Sequence, residues 1–378
     1  MSPFALYFRI YKFCGVWRPT DSSRCFKAFY NIYSALSLFG MCSLTILQFT
    51  EIITNTHNTD DITTNSFILL SMVNSCFKAV CVLRHRNEII GLIAMLVGSI
   101  YYKARDPEEI KIQEKFNNIL WLNSRRYLIL VTTSVLSNSI GSLFSHLKHR
   151  TLPYKVWLPY SLSSLKLFWL SYIHQCASLS IAAYINVTTD LFIIGMMIQI
   201  CEQFEILKHR LISTNCEKTS SKSNGTILEE CIRHHNYIIR CAGGVKHEFS
   251  AVVIVQLTVS AVVLCSNIYK LSRCTVNTTE FYNLILYMSC ILVQLLIYCW
   301  YGNEVMLKSL EIGDAAYNMK WTELSVIERK TLAIIIQSTS RPVIFKFAFT
   351  ISLSLDAYMN ILKASYSTYN FLQQFSMD

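Results

Sequence analysis

PVIFKFAFTISLSLDAYMNILKASYSTYNFLQQFSMD, residues 342–378, is the stretch on which the fold turns. It reads as one apolar helix, longer than the ~20 residues that cross a bilayer. At about 100° per residue, Asp356, Asn360, Lys363, Ser367, Asn370 and Gln374 gather within a wedge of about 80°. The remaining faces carry Leu353, Leu355, Tyr358, Ile361, Leu362, Tyr366, Tyr369 and Leu372. A polar stripe along a spanning helix cannot face lipid cheaply, so it faces water or another helix. Phe371 and Phe375 border the stripe at its far end. Copies of this helix around an axis would make a wet conduit closed by an aromatic ring. The alternative is a polar seam packed against a helix of the same chain.

Outward from this helix, composition sets the class. Of 378 residues, 52% are hydrophobic and 15% charged, with a mean hydropathy of +0.35. Soluble domains hold nearer a quarter of charged residues, so the chain reads as an all-α polytopic membrane protein embedded in a lipid bilayer. The net charge of +10 does not point to nucleic acid, because lysines and arginines cluster between apolar segments rather than on one basic face. The 14 cysteines form no C-x-x-C pair and no zinc-spaced set, and most sit in apolar runs as small hydrophobes. Arg9 and Lys12 interrupt any signal-peptide core.

Seven spans are expected. Residues 4–16 are amphipathic and end at Trp17-Arg18-Pro19, a piece placed at or dipping into the membrane surface. Spans follow at about 26–50, 66–83, 127–144, 168–200, 249–268 and 281–301, and the helix of residues 342–378 is the seventh. Helix continues over 89–102 until Asp106-Pro107 breaks it, and 322–340 is amphipathic. Residues 213–226 are a polar loop. This divides the chain into 1–25, a terminal segment; 26–300, six spans; 301–340, helices in water; and 341–378, the last span. Four spans overrun the membrane on one side, which either builds a helical domain there or leaves ordinary solvated loops with helical propensity.

Charge orients the spans. Residues 1–27, 84–126, 201–248 and 303–346 hold 26 lysines and arginines, the opposite side 7, and Lys78 lies within a span. The rich side is cytoplasmic, which puts the N-terminus inside and the C-terminus outside, the reverse of a G-protein-coupled receptor. The triplet Asn277-Thr278-Thr279 then faces outward as a glycosylation acceptor, while those at Asn186 and Asn224 stay silent.

Chemistry finds little footing: no phosphate loop, no H-E-x-x-H, no G-x-S-x-G. No enzyme, cofactor or metal is expected. His146 and His149 at i, i+3 are read as interfacial polarity, and the adjacent His234 and His235 face apart. Lys78 and Asp190 are the intramembrane charges outside the last span, each a functional candidate, with a structural ion pair or a contact with a water cavity as the expected role. A small-molecule pocket is expected toward the outer side, from Phe67, Ser71 and Met72 of span 2, Ser137, Gly141 and Phe144 of span 3, Ile181 and Ile185 of span 4, and Leu284, Tyr287 and Met288 of span 6. Apolar walls with few polar groups suit a small hydrophobic or volatile ligand. The same residues also describe ordinary close packing of helices in membranes.

The sequence resembles the insect odorant receptors. The likeness is strongest over about 287–375: Tyr298-Cys299-Trp300-Tyr301-Gly302-Asn303-Glu304, Ala316-Tyr317 with Trp321, Glu328-Arg329-Lys330, Arg341-Pro342, and Ile361-Leu362-Lys363-Ala364-Ser365-Tyr366-Ser367. Gly15-Val16-Trp17-Arg18-Pro19 and the loop from Leu152 to Pro159 are similar too. The resemblance implies a subunit of a tetrameric ligand-gated cation channel, assembled with a shared co-receptor in the plasma membrane of olfactory dendrites. It implies that the last helix lines the pore, through Asp356, Asn360, Lys363 and Ser367, with Phe371, Gln374 and Phe375 at the outer gate. Thr368-Tyr369-Asn370 departs from the usual Tyr-Phe-Thr there. A gustatory receptor is the neighbouring reading. A secondary transporter is the reading from another class, against which stands the lack of an internal repeat.

Overall fold

The computed structural model describes residues 3–19, 23–54, 59–146, 152–160, 164–213, 224–276, 278–319, 321–347 and 351–375, with the side chains of 59–64, 142–146, 224–226, 323, 351 and 372–375 outside that description. Ten helices follow one another: α1 (Ala5–Phe13), α2 (Arg24–Thr54), α3 (Thr59–Arg84), α4 (Arg86–Gly98), α5 (Pro107–His146), α6 (Leu165–Ser213), α7 (Asn224–Arg273), α8 (Thr279–Tyr317), α9 (Val326–Thr339) and α10 (Leu355–Phe375). Between the last two lies a short antiparallel pair, β1 (Lys346–Phe347) and β2 (Ile351–Ser352), in register Lys346↔Ser352 and Phe347↔Ile351.

The axis of the bundle is α6. From Val187 to Phe204 nearly every side chain is buried, as expected of a helix that is apolar all round. At 1.5 Å per residue its 49 residues run about 74 Å, more than twice the ~30 Å hydrocarbon core. Helices α3, α5, α7 and α8 pack around it. Helices α2, α3, α6, α7 and α8 are long and apolar enough to cross a membrane. The two other expected spans lie in α5 and α10, whose faces are more polar.

One face of helix α1 is tucked against α6. Phe4, Tyr7 and Tyr11 are buried, Tyr7 shares a 2.6 Å hydrogen bond with Ser124, and Tyr11 donates to Thr189 at 3.0 Å. Phe192 packs edge-on against Phe4, Tyr7 and Phe8. An apolar face tells that a helix is covered, not by what. The chain leaves α1 through Gly15, whose φ of 80° favours glycine.

The beginning of the last span is corrected. A helix from residue 342 was expected; α10 starts at Leu355. Pro342 cannot continue the preceding helix, and Val343 to Phe347 alternates as a strand does, with Phe345 and Phe347 buried and Lys346 exposed. Past β2, Leu353 crosses α8 at Gly302, where a Cβ would come 2.7 Å from the Leu353 carbonyl oxygen. Only glycine lets the two backbones approach so closely.

The end of the bundle that holds α1, α4 and α9 is also rich in ion pairs. Asp106 accepts from the Glu109 amide at 2.8 Å and caps α5, with Pro107 in the first turn. Arg210, buried, grips Glu109 with two nitrogens at 2.6 and 2.9 Å. Lys308 meets Glu205 at 2.8 Å and Glu311 at 3.0 Å. Ser325 and Glu328 form a capping box at the start of α9.

Candidate ligand pocket and conduction helix

At the other end of the bundle, α3, α5, α6, α7 and α8 diverge around a cavity of about 1050 Å³. Phe67, Ser71, Met72 and Ser75 of α3 line one wall. Facing them are Val131, Ser134, Asn138 and Gly141 of α5, and Asn283, Leu284, Tyr287 and Ile291 of α8. Leu179 and Ala183 of α6 and Val259 and Val263 of α7 complete the sides, and the loop residues Leu152 to Val156 and Leu158 border the cavity as well. The ion pair of Lys270 and Glu280, 2.6 Å apart, stands among the residues toward its mouth.

Of the sequence-predicted pocket residues, Phe67, Ser71, Met72, Gly141, Leu284 and Tyr287 line this cavity. Tyr287 shares a 2.5 Å hydrogen bond with Ser71 and packs on Phe67 with ring centroids 5.6 Å apart. Ser137 stands one step back and donates to Asn283 Oδ1 at 2.6 Å, so it holds a lining residue. Ile185 is fully buried in packing away from the cavity. Ile181 and Met288 are half-buried against the core and do not line it. The side chain of Phe144 and those of His146 and His149 lie outside the described residues.

The deep end of the cavity is polar. Lys78 and Asp190, both with 0% exposure, form an ion pair across α3 and α6, as expected for the two charges. Lys78 also donates to Asn186 Oδ1 and to Gln256 Oε1. Gln294 donates to Asp190 Oδ2, and Tyr298 donates to its Oδ1 at 2.7 Å. Asn74 donates to Gln256 Oε1 at 2.7 Å, and Gln256 to Ser260 at 2.7 Å. Asn74, Asn186, Gln256 and Gln294 all border the cavity, and of the network only Lys78 and Asp190 were singled out from sequence. A signal existed: Asn74/Lys78, Asn186/Asp190, Gln256/Ser260 and Gln294/Tyr298 are each i, i+4 pairs in apolar helices, placing two polar groups on one face.

Helix α10 packs against α7 and α8 through its apolar side, where Ser365 is buried and donates to Ile361 O at 2.9 Å. The polar stripe points the other way. Asp356, Asn360, Lys363, Ser367 and Asn370 are all exposed, and Phe371 is 57% exposed. The stripe is therefore not a seam inside its own chain. Gln374 and Phe375 belong to α10, with side chains outside the described residues. Asn277 also lies outside them. Among the described residues there is no cluster suited to a metal ion and no disulfide.

Long apolar helices wrapped around a deep cavity, with one amphipathic helix turned outward, define a multi-pass membrane receptor. The chain belongs to the 7tm odorant receptor family: the family description, 7tm Odorant receptor, matches residues 58–366. Odorant receptor 67c of Drosophila melanogaster is 25% identical over 225 residues, 59% of this chain and 55% of that one, so the chain spans about half of that curated relative's length in the match. Odorant receptor 46a isoform B of the same species is 24% identical over 379 residues, 97% and 96% of the two chains. Among solved structures, the insect olfactory receptor OR5 of Machilis hrabei, in complex with eugenol, superposes with a TM-score of 0.88 over 98% of this chain and 97% of that one, at 16% identity. The likeness in structure shows a shared fold; the family is one of receptors rather than enzymes.

Proposed function

We propose that the chain is the odorant-binding subunit of a heteromeric, ligand-gated, non-selective cation channel, assembled with a co-receptor in the plasma membrane of an olfactory neuron. The observation that carries this is the open-mouthed, mostly apolar cavity between α3, α5, α6, α7 and α8 in a member of the odorant receptor family. Its volume suits a small volatile molecule with room to spare. The exposed polar stripe of α10 supports a second part of the reading. In a tetramer, Asp356, Asn360, Lys363 and Ser367 border the conduit, and Phe371, Gln374 and Phe375 form its outer gate. A closed aromatic ring stops ions because water leaves it and a bare ion is too costly there. The basic end of the bundle is cytoplasmic and Asn277 is glycosylated outside.

The test is a volatile panel applied to cells expressing the chain with a co-receptor. A saturable cation current is expected, and Tyr287→Ala should reorder the active ligands at unchanged surface level. If potency falls equally for every ligand, Tyr287 is structural and this cavity is not where ligands are chosen.

A further inference from the structure

The geometry points to a hydroxyl-recognising subsite at the deep end of the cavity, held in its orientation by the buried ion pair; this rests on the odorant-binding reading above. Lysine can only donate hydrogen bonds and an ionised carboxylate can only accept them. The atom of Asn186 beside Lys78 Nζ is therefore its amide oxygen, which turns the Asn186 NH2 group away from the pair. The atom of Gln294 beside Asp190 Oδ2 is likewise its NH2 nitrogen, which leaves its amide oxygen turned away. The two charges thus set both amides, and the remaining ends are one donor and one acceptor on residues that border the cavity.

A third amide follows the same logic. Gln256 must offer its oxygen to Lys78, and that oxygen also accepts from Asn74 Nδ2. Asn74 is 1% exposed, and its Oδ1 is buried with no hydrogen-bond partner. That atom is closed off from the cavity as well, so the contacts offered to a ligand are the outward ends of Asn186 and Gln294. The subsite as a whole asks for a group that both accepts and donates, set on an apolar body that fills the rest of the cavity. A hydroxyl does both; an ether or ester oxygen only accepts, and a hydrocarbon does neither. The ligand class is an alcohol or phenol, and Asn186 is a specificity-determining residue.

The experiment compares matched probes in cells expressing the chain with a co-receptor: octanol, its methyl ether and octane; phenylethanol, its methyl ether and ethylbenzene. In the wild type, each alcohol should act at a concentration at least about tenfold below that of its ether, the worth of one good buried hydrogen bond. In Asn186→Leu the ratio of alcohol to ether potency should fall toward one, read against the response of the same variant to the hydrocarbons. The wild-type series needs no variant and decides by itself. Alcohols and ethers acting within about threefold of each other, or alcohols and hydrocarbons falling in step in Asn186→Leu, would overturn the subsite and leave the odorant reading intact. Silence toward every probe and toward the wider volatile panel, with the chain at the surface, would overturn the odorant reading and the subsite with it.

Discussion

Lys78 and Asp190 lie 112 positions apart in sequence and meet with no exposure to solvent. Taking two charges out of water is expensive, and their attraction compensates only when the remaining hydrogen bonds are filled, which Asn186, Gln256, Gln294 and Tyr298 do. Removing one partner should therefore be far worse than removing both. Lys78→Met is expected to cost about 3–5 kcal/mol and to reduce surface expression sharply. Adding Asp190→Leu should restore part of it, read by surface labelling and by melting of the detergent-solubilised protein. A double variant no better than the single would mean that the pair is not coupled. At the other end of the bundle, well before the apolar stretch of α7, His234 is buried and bonds Gln203 at 3.0 Å. Burial first, then Arg210 and Arg105, pushes its pKa from 6.5 down to about 3. A depressed histidine favours folding while neutral, so its contribution is present above the unfolded value. It is lost as pH falls from 6.5 toward about 3, at up to about 1.4 kcal/mol per pH unit. The melting temperature should fall on that acid side, and less so in His234→Gln. Equal slopes in the two proteins would remove His234 from the account.

Helix α10 shows how one element can be read correctly in its face and wrongly in its extent. Its polar wedge follows from 3.6-residue periodicity alone, and the structure leaves that wedge exposed. Its start does not follow, because Val343 to Phe347 is as apolar as a span but alternates like a strand beside Pro342. The two faces give a direct test of the conduction reading. Cysteine at Ser367, on the exposed face, should react with a water-soluble thiol reagent and alter ligand-evoked current. Cysteine at Ser365, buried against its own bundle, should be silent. Phe371→Ser should raise current without ligand, since a wetted ring no longer excludes ions. Reaction at both serines alike would mean that α10 is loosely held rather than a pore wall.

For the whole molecule, the arrangement of charge makes one claim that packing does not. The side holding residues 1–27, 84–126, 201–248 and 303–346 has 26 of the 34 lysines and arginines, and the positive-inside bias predicts that it faces the cytoplasm. Tags at the two termini should be read on permeabilised cells for the N-terminus and on intact cells for the C-terminus. Glycosylation should be lost in Asn277→Gln. An N-terminal tag accessible on intact cells would reverse the molecule and place the cavity on the wrong side for an airborne ligand.

Hydropathy, helix period and the spacing of breakers are local properties, and they determined most of the element order: Asp106-Pro107 opening α5, the great length of α5 to α8, and the polar stripe of α10, whose exposure only packing decided. Phe67, Ser71 and Tyr287 were legible as pocket candidates because small, polar and aromatic residues stood where a span should be uniformly apolar. Which partner each face meets is not local. The amphipathic α1 announces one apolar face to be covered, and only packing made the Phe192 face of α6 its cover. Ile185 and Gly141 looked alike as pocket residues until helix rotation buried one in packing and opened the other to the cavity. The polar floor needed four helices at once. Each i, i+4 pair announces a group that must be satisfied, but the period of a helix says nothing about which distant helix will satisfy it. The choice was made by packing around α6, where leaving any of those groups alone in an apolar interior would cost more than bringing them together.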